Sequence, residues 1–277
     1  RAQHFHFNYL RNSNAMDVFV SYANNKTYVE YKVIGGVFDF RFLLSETSPE
    51  IALEKWNLFL GASAIPPFWS LGMHQCRWGY ENVSMLEDVI KGYESNDLPL
   101  DTIWSDIDYM VDYEDFTIDE SRFPLDRMKQ ILTKYKYIPI VDAGIKVNDG
   151  YAYTEGRLRN VFVKTAKGEE YHGKVWPGTT TFVDFMHPNA TQYWINMLDV
   201  LYQKVPFSGV WLDMNEYANF CDGPCEGSTP ESGGFDYRRD LPYHPGEDSI
   251  ESHTISLNAT HYNGLQEADV HAFGGML

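Results

Sequence analysis

The sequence predicts an α/β fold, a partial barrel of parallel strands preceded by antiparallel β structure, and three observations point to it. Short apolar runs ending in acids recur at Leu100 to Asp106, Tyr137 to Asp142 and Gly209 to Asp213, as buried parallel strands read when they deliver polar groups at their C-terminal ends. Apolar residues at helical spacing stand between these runs. Residues 1 to about 62 instead alternate and turn as antiparallel strands do. In a closed barrel of parallel strands the C-terminal ends carry the active site, so an acid leaving such a strand is a catalytic candidate.

The first segment supplies the strand-like runs His4-Phe5-His6-Phe7, Val18-Phe19-Val20 and Tyr28 to Val33, then a Gly35-Gly36 turn before Val37 to Phe42. Arg11 to Asp17 is a polar link. His4-x-His6 lacks the third ligand that a metal site requires. A helix follows, with Ser48 as N-cap, Pro49 at its first position and Glu50 in its first turn. Pro66-Pro67 breaks the pattern, and the boundary between a first unit (1–62) and a second (63–277) falls there.

Phe68 to Tyr80 reads as the first barrel strand and its loop. Ser84 to Ser95 reads as a helix with Ser84 as cap and Glu87 completing a capping box. The strand Leu100 to Met110 spaces Trp104 and Asp106 as Trp211 and Asp213 are spaced, and period-two alternation puts each Trp and its Asp on one side. Two strands ending in Trp-x-Asp would build an acidic pocket with aromatic walls. A helix from Leu125 to Tyr135 leads to the strand Tyr137 to Asp142, where Pro139 lies near the start and Asp142 reads as a structural acceptor. Residues 144–187 contain a hairpin, Asn160 to Lys164 turning through Lys167-Gly168. Asn189 to Gln203 is a helix with Trp194, Ile195, Leu198 and Leu201 inward. It leads into Trp211-Leu212-Asp213-Met214-Asn215-Glu216, and residues 222–252, rich in Gly, Pro, Asp and Ser, read as a long loop.

Composition narrows the partners. Against 22 basic residues stand 39 acidic ones, a formal charge of −17 without a basic run, so nucleic acid and anionic lipid are repelled. Aromatic residues make up 16 %, which suits stacking on sugar rings. No apolar run approaches the roughly 20 residues of a membrane span. Among three cysteines, Cys221 and Cys225 sit close together in a loop, free to pair with each other or elsewhere. The triplets at Asn25, Asn82, Asn189 and Asn258 are compatible with a secretory route. The start at Arg1 and the stop at Leu277 read as those of a piece of a longer protein.

On residues alone, Asp213, Asn215 and Glu216 are either catalytic groups or a buried structural cluster. Asp106-x-Asp108 would also fit a metal-dependent glycosyltransferase, but no phosphate-cradling Gly-rich loop accompanies it. Trp211-Leu212-Asp213-Met214-Asn215-Glu216, Pro66-Pro67-Phe68-Trp69-Ser70-Leu71-Gly72, Cys76-Arg77-Trp78-Gly79-Tyr80 and Trp176-Pro177-Gly178 followed by Asp184-Phe185 together resemble glycoside hydrolase family 31.

The resemblance implies a retaining, exo-acting α-glucosidase of lysosomal or digestive type. Its architecture would be the first half of a (β/α)8 TIM barrel, preceded by the end of an N-terminal β-sandwich. It implies Asp213 as nucleophile, with Glu216 tuning its charge or orientation. Trp78, Trp104, Asp106, Ile107, Ile140, Trp176, Trp211 and Met214 would bind a maltose-, maltooligosaccharide- or glycogen-like substrate. No cofactor or metal is implied, and the location would be lysosomal, vacuolar or extracellular. α-Xylosidases share most of these motifs. Nothing in the chain matches the family's acid/base motif, Gly-His-Trp-x-Gly-Asp, so the chain by itself is expected to be inactive, or to be a non-catalytic sugar binder. Tyr217 where the family commonly has Pro, and Ala272-Phe273 where it has Asn-Leu-Tyr, are departures.

Overall fold

The computed structural model describes residues 4–12, 14–45, 48–225, 240–246 and 250–270. At the N-terminal end, β1 (Phe5–Arg11) pairs antiparallel with β4 (Asp39–Ser45), and β2 (Met16–Ala23) with β3 (Lys26–Val33). The β2–β3 turn is the pair Asn24-Asn25, with φ of 51° and 57°, the left-handed backbone of a two-residue hairpin. Helix α1 (Pro49–Leu60) starts as its sequence predicts, the Ser48 hydroxyl accepting from the Ile51 N–H at 3.4 Å with Pro at the first position.

Further along the chain stand four parallel strands, β5 (His74–Gln75), β6 (Thr102–Ser105), β7 (Lys136–Asp142) and β11 (Trp211–Asp213), hydrogen-bonded in that order. Parallel neighbours need crossovers, and helices α2 (Val83–Ser95), α3 (Leu125–Leu132) and α5 (Ala190–Lys204) supply them. Leu86, Ile103, Met110, Phe123, Met128, Tyr193 and Met197, each at most 2 % exposed, pack between strands and helices in one core.

Between β7 and α5 the chain makes an excursion. It forms α4 (Tyr151–Arg159) and an antiparallel sheet of β8 (Gly144–Lys146), β9 (Gly173–Val175) and β10 (Gly178–Phe182), in the order β8-β10-β9. A second core of Val163, Tyr171, Phe182, Tyr217, Ile255 and Ala259 lies behind it. Tyr217, the departure from the family pattern, is 2 % exposed there, and its hydroxyl donates to the Val183 carbonyl at 3.0 Å.

Several local expectations are corrected. Helix α2 is capped by Asn82, whose Oδ1 accepts from Met85 N–H at 3.2 Å. Ser84 and Glu87 instead receive the Arg127 guanidinium, at 3.0 Å on Ser84 Oγ and at 3.0 and 2.6 Å on the two Glu87 oxygens, which ties α2 to α3. Phe68–Leu71 is a 3-10 turn, leaving β5 with two residues. Pro139 sits in mid-strand opposite Ser105, not at the start of β7. Helix α5 buries Ala190, Tyr193, Met197 and Leu201, with Trp194 and Leu198 partly buried against the same core, so of the residues expected inward only Ile195, 53 % exposed, turns out.

The disulfide left open by spacing forms between Cys221 and Cys225. It clamps the turn where Asn219 Nδ2 donates to the Gly223 and Thr254 carbonyls. A loop this short contributes about 2 kcal/mol by the chain-entropy relation, so Cys221→Ser should lower unfolding stability by that amount in a urea titration. The rest of the long loop is described only in part, and Ala272-Phe273 lie outside the described residues. The chain before them ends in helix α6 (Glu267–Val270). No helix of the described residues is long and apolar enough to cross a membrane.

Candidate active site

Strand register brings the predicted residues together. Trp211 lies opposite Ile140 and Asp213 opposite Asp142, so the two aspartates leave adjacent strands side by side at the C-terminal edge. On the other flank of β7, Trp104 lies opposite Ile138. Alternation then places Trp104, Ile138, Ile140, Asp142, Trp211 and Asp213 on one face. The rings of Trp104 and Trp211 meet across β7 at 5.8 Å.

A second aromatic pair stands further out. The β9–β10 hairpin turns through Trp176-Pro177 into Gly178, at φ 100°, a conformation that only glycine adopts without strain. Trp176 is thereby held at the tip, 40 % exposed, with its ring 5.8 Å from Trp78 and 4.9 Å from Phe220. Its indole Nε1–H donates to Met214 Sδ at 3.2 Å, which joins the outer pair to the end of β11. Met214 itself has φ 59°. A non-glycine residue there costs on the order of 1–3 kcal/mol, and such strain gathers where function over-determines the backbone.

Burial sorts the remaining residues. Asp213 and Glu216 are exposed and Asp106 is half-buried. Ile107 and Ile140, each 2 % exposed, back the cup from the core. The Tyr109 hydroxyl donates to the Ile140 carbonyl at 2.7 Å and fixes β7 from below. Asp106 Oδ1 accepts from Ile107 N–H at 2.8 Å, and Asp108 Oδ2 from Gly79 N–H at 2.8 Å, which holds the loop carrying Trp78. The two acids of Asp106-x-Asp108 thus serve different partners. Among the described residues no group of three or more His, Cys, Asp or Glu is placed to hold a metal ion.

The electrostatics are those of crowded acids. Asp142 is 3 % exposed, its backbone N–H donates to Asp115 Oδ1 at 2.8 Å, and its own Oδ1 is buried without a hydrogen-bond partner among the described residues. It is therefore not the satisfied acceptor that the sequence suggests. Burial, then the charges of Asp213, Asp106 and Glu216, push its carboxyl up to about 7. Asp106 is raised by burial, then by Asp108 and Asp213. The Cys76 thiol is pushed up to about 11 by burial and by Asp106. An exposed carboxylate among further acids, with tryptophan faces on two sides, suits a polyhydroxylated ring that is apolar on its faces and polar on its rim.

Residues 63–275 match the model of the Glycosyl hydrolases family 31 TIM-barrel domain. The chain belongs to glycosyl hydrolase family 31. Its parallel strands and helices are part of the family's barrel. It is 39 % identical to a protein named as a probable alpha-glucosidase of Oryza sativa subsp. japonica, over 97 % of this chain and 30 % of that one. It is 38 % identical to alpha-xylosidase 1 of Arabidopsis thaliana, over 96 % of this chain and 31 % of that one. It thus spans about a third of the length of these relatives. A solved family 31 alpha-glucosidase from Bacteroides thetaiotaomicron superposes with a TM-score of 0.64 at 29 % identity, over 77 % of this chain and 36 % of that one. At 19 % identity, a Flavobacterium johnsoniae GH31 dextranase shares the fold with a TM-score of 0.74, over 98 % of this chain and 30 % of that one.

Some residues of this candidate site are not legible in sequence. Phe220 reaches Trp176 from a loop without periodicity, and Asp115 meets Asp142 from 27 residues away. Gly178, between Trp-Pro and a run of threonines, was the one readable signal of the hairpin that presents Trp176.

Proposed function

We propose that this chain is the nucleophile-bearing part of a retaining, exo-acting α-glucosidase that removes terminal α-linked glucose from maltose-like oligosaccharides and glucans. The observation that carries the reading is the position of Asp213, exposed at the end of β11, beside Asp142 and at the foot of the Trp104–Trp211 pair. In this reading an Asp213 oxygen bonds to the anomeric carbon while the glycosidic C–O bond breaks and the leaving oxygen takes a proton from a general acid. Water then hydrolyses the glycosyl ester. Asp106 accepts from sugar hydroxyls, Glu216 tunes Asp213, and Trp78, Trp176, Trp211 and Met214 form the walls. Ile107 and Ile140 shape the wall from behind.

Retaining chemistry needs a second carboxyl group roughly 5–5.5 Å from the first, acting as acid and then base. Nothing in these 277 residues resembles the family's acid/base motif, so assays belong on the whole protein, and this chain by itself should not turn over substrate. Trp176→Ala, which removes an outer wall, should raise KM for maltose about tenfold, the equivalent of about 1.4 kcal/mol of lost burial, in initial-rate kinetics.

The similarity to an alpha-xylosidase supports a second reading, in which the terminal sugar is xylose. Comparing kcat/KM on nitrophenyl α-glucoside and α-xyloside separates the two, and a preference for the xyloside would replace the first. A secretory route is supported by the Asn-x-Ser/Thr triplets, of which Asn25 stands at the exposed tip of the β2–β3 hairpin.

A further inference from the structure

The aromatic floor of the cup extends to a histidine that the proposed reaction does not use. His74 lies on edge strand β5 opposite Thr102 of β6, so its side chain shares a face with Trp104, two residues further along β6. The Trp104 indole Nε1–H donates to His74 Nδ1 at 2.9 Å, and the two rings meet edge to face at 5.7 Å. On its other side the imidazole stacks on Trp69 at 6.2 Å. Trp69, His74, Trp104 and Trp211 therefore form a continuous column ending two residues from Asp213.

Stability does not account for this histidine. Because Nδ1 accepts, the ring is the Nε2–H tautomer. Nε2 is buried with no hydrogen-bond partner among the described residues. A buried donor without an acceptor costs its full desolvation. An apolar side chain would fill the slot between the two tryptophans without that cost, but it would not accept the indole N–H. A tryptophan in a pocket wall has two edges, and turning the ring over exchanges a donor for a C–H edge. The Nδ1 bond selects one orientation.

We propose that His74 is a positioning residue, which fixes the orientation of the Trp104 ring and through it the wall on which the sugar at Asp213 rests. The proposal depends on the glycosidase reading of the site, and its test separates the two. His74→Leu, His74→Asn, Trp104→Phe and the double variant His74→Leu/Trp104→Phe are made in the whole protein, with Asp213→Asn alongside. His74→Leu should raise KM for maltose about tenfold with kcat within about threefold, the pattern of lost binding in ground and transition state alike. His74→Asn, whose Oδ1 stands near the position of Nδ1, should restore KM to within about threefold. Trp104→Phe, which loses the N–H and part of the wall, should raise KM at least as much as His74→Leu, and adding His74→Leu to it should raise KM no further.

Equal defects in the Asn and Leu variants, or additive effects in the double variant, would overturn the positioning role. If His74→Leu fails to fold, Trp104→Phe and His74→Asn still decide. In a spectrum of the whole protein labelled at the indole nitrogens, the Trp104 N–H should exchange slowly in wild type and in His74→Asn. An Asp213→Asn variant with full turnover would instead sink the reading of Asp213 as nucleophile and leave the exchange result standing.

Discussion

Asp213→Asn should lower kcat/KM of the whole protein on maltose by on the order of 10⁴-fold or more, the scale seen when a covalent nucleophile is removed. The amide is close to the same size and is exposed at the end of β11, so the fold should be untouched and the loss should be chemical. KM should move little, because the walls proposed to hold the sugar, Trp78, Trp176 and the Trp104–Trp211 pair, remain. A variant retaining more than about a tenth of wild-type turnover would remove Asp213 from the chemistry.

The second large effect lies away from the cup. His261 is sandwiched between two acids, Nδ1 at 2.9 Å from Asp184 Oδ1 and Nε2 at 2.9 Å from Glu267 Oε2, with all three side chains at most 3 % exposed. The Tyr262 N–H donates to the second Asp184 oxygen at 2.6 Å. These contacts tie the start of α6 to the segment after β10. His261→Leu would leave two buried carboxylates without their cation, which costs about 3–5 kcal/mol. A melting temperature lower by on the order of 10 °C is expected.

The same cluster sets a pH dependence. Burial by itself would lower His261, but the bonds to Asp184 and Glu267 raise it from 6.5 to about 9. A raised histidine stabilises fully below its unfolded value and loses that contribution as pH climbs through the folded one, here between 6.5 and about 9, roughly 3 kcal/mol in all. Asp142, raised from 3.8 to about 7, acts in the same direction, since the folded state keeps a proton that the unfolded chain gives up across that window. Asp184 works at the acid end. Burial would raise it, but His261 and the backbone of Tyr262 hold it below the usual carboxylate range, so its contribution disappears as pH falls beneath that range. Thermal melts should therefore be highest in mildly acidic buffer and fall towards pH 9. A midpoint that rises from pH 6 to 9 would contradict this assignment.

Sequence revealed what is local or repeated. Ser48-Pro49 announces a helix start because cap and first-turn chemistry act within three residues. The two Trp-x-Asp strand ends announce a shared face because alternation is fixed by the backbone. Helix α4 escaped because it carries no capping side chain at Gly150 and buries only Ala152, Tyr153 and Gly156, too little for a clear stripe. Local rules place the α2 cap two residues late because Asn82 and Ser84 both satisfy them, and only the arrival of Arg127, 43 residues later, shows where Ser84 is used. The pairing of Asp184 with His261 spans 77 residues and leaves no local trace. The acidity around Asp142 likewise exists only once β7, β6 and β11 are aligned.

Trapping the sugar on Asp213 tests its role as nucleophile most directly. The whole protein is incubated with an α-glucosyl fluoride bearing a second ring fluorine, which slows release of the glycosyl ester, and is then digested and mapped by mass. One added fluoroglucosyl group is expected on the peptide containing Gly209 to Glu216, located at Asp213. A label on any other carboxylate, or steady turnover of glucoside with no labelled peptide, would contradict it.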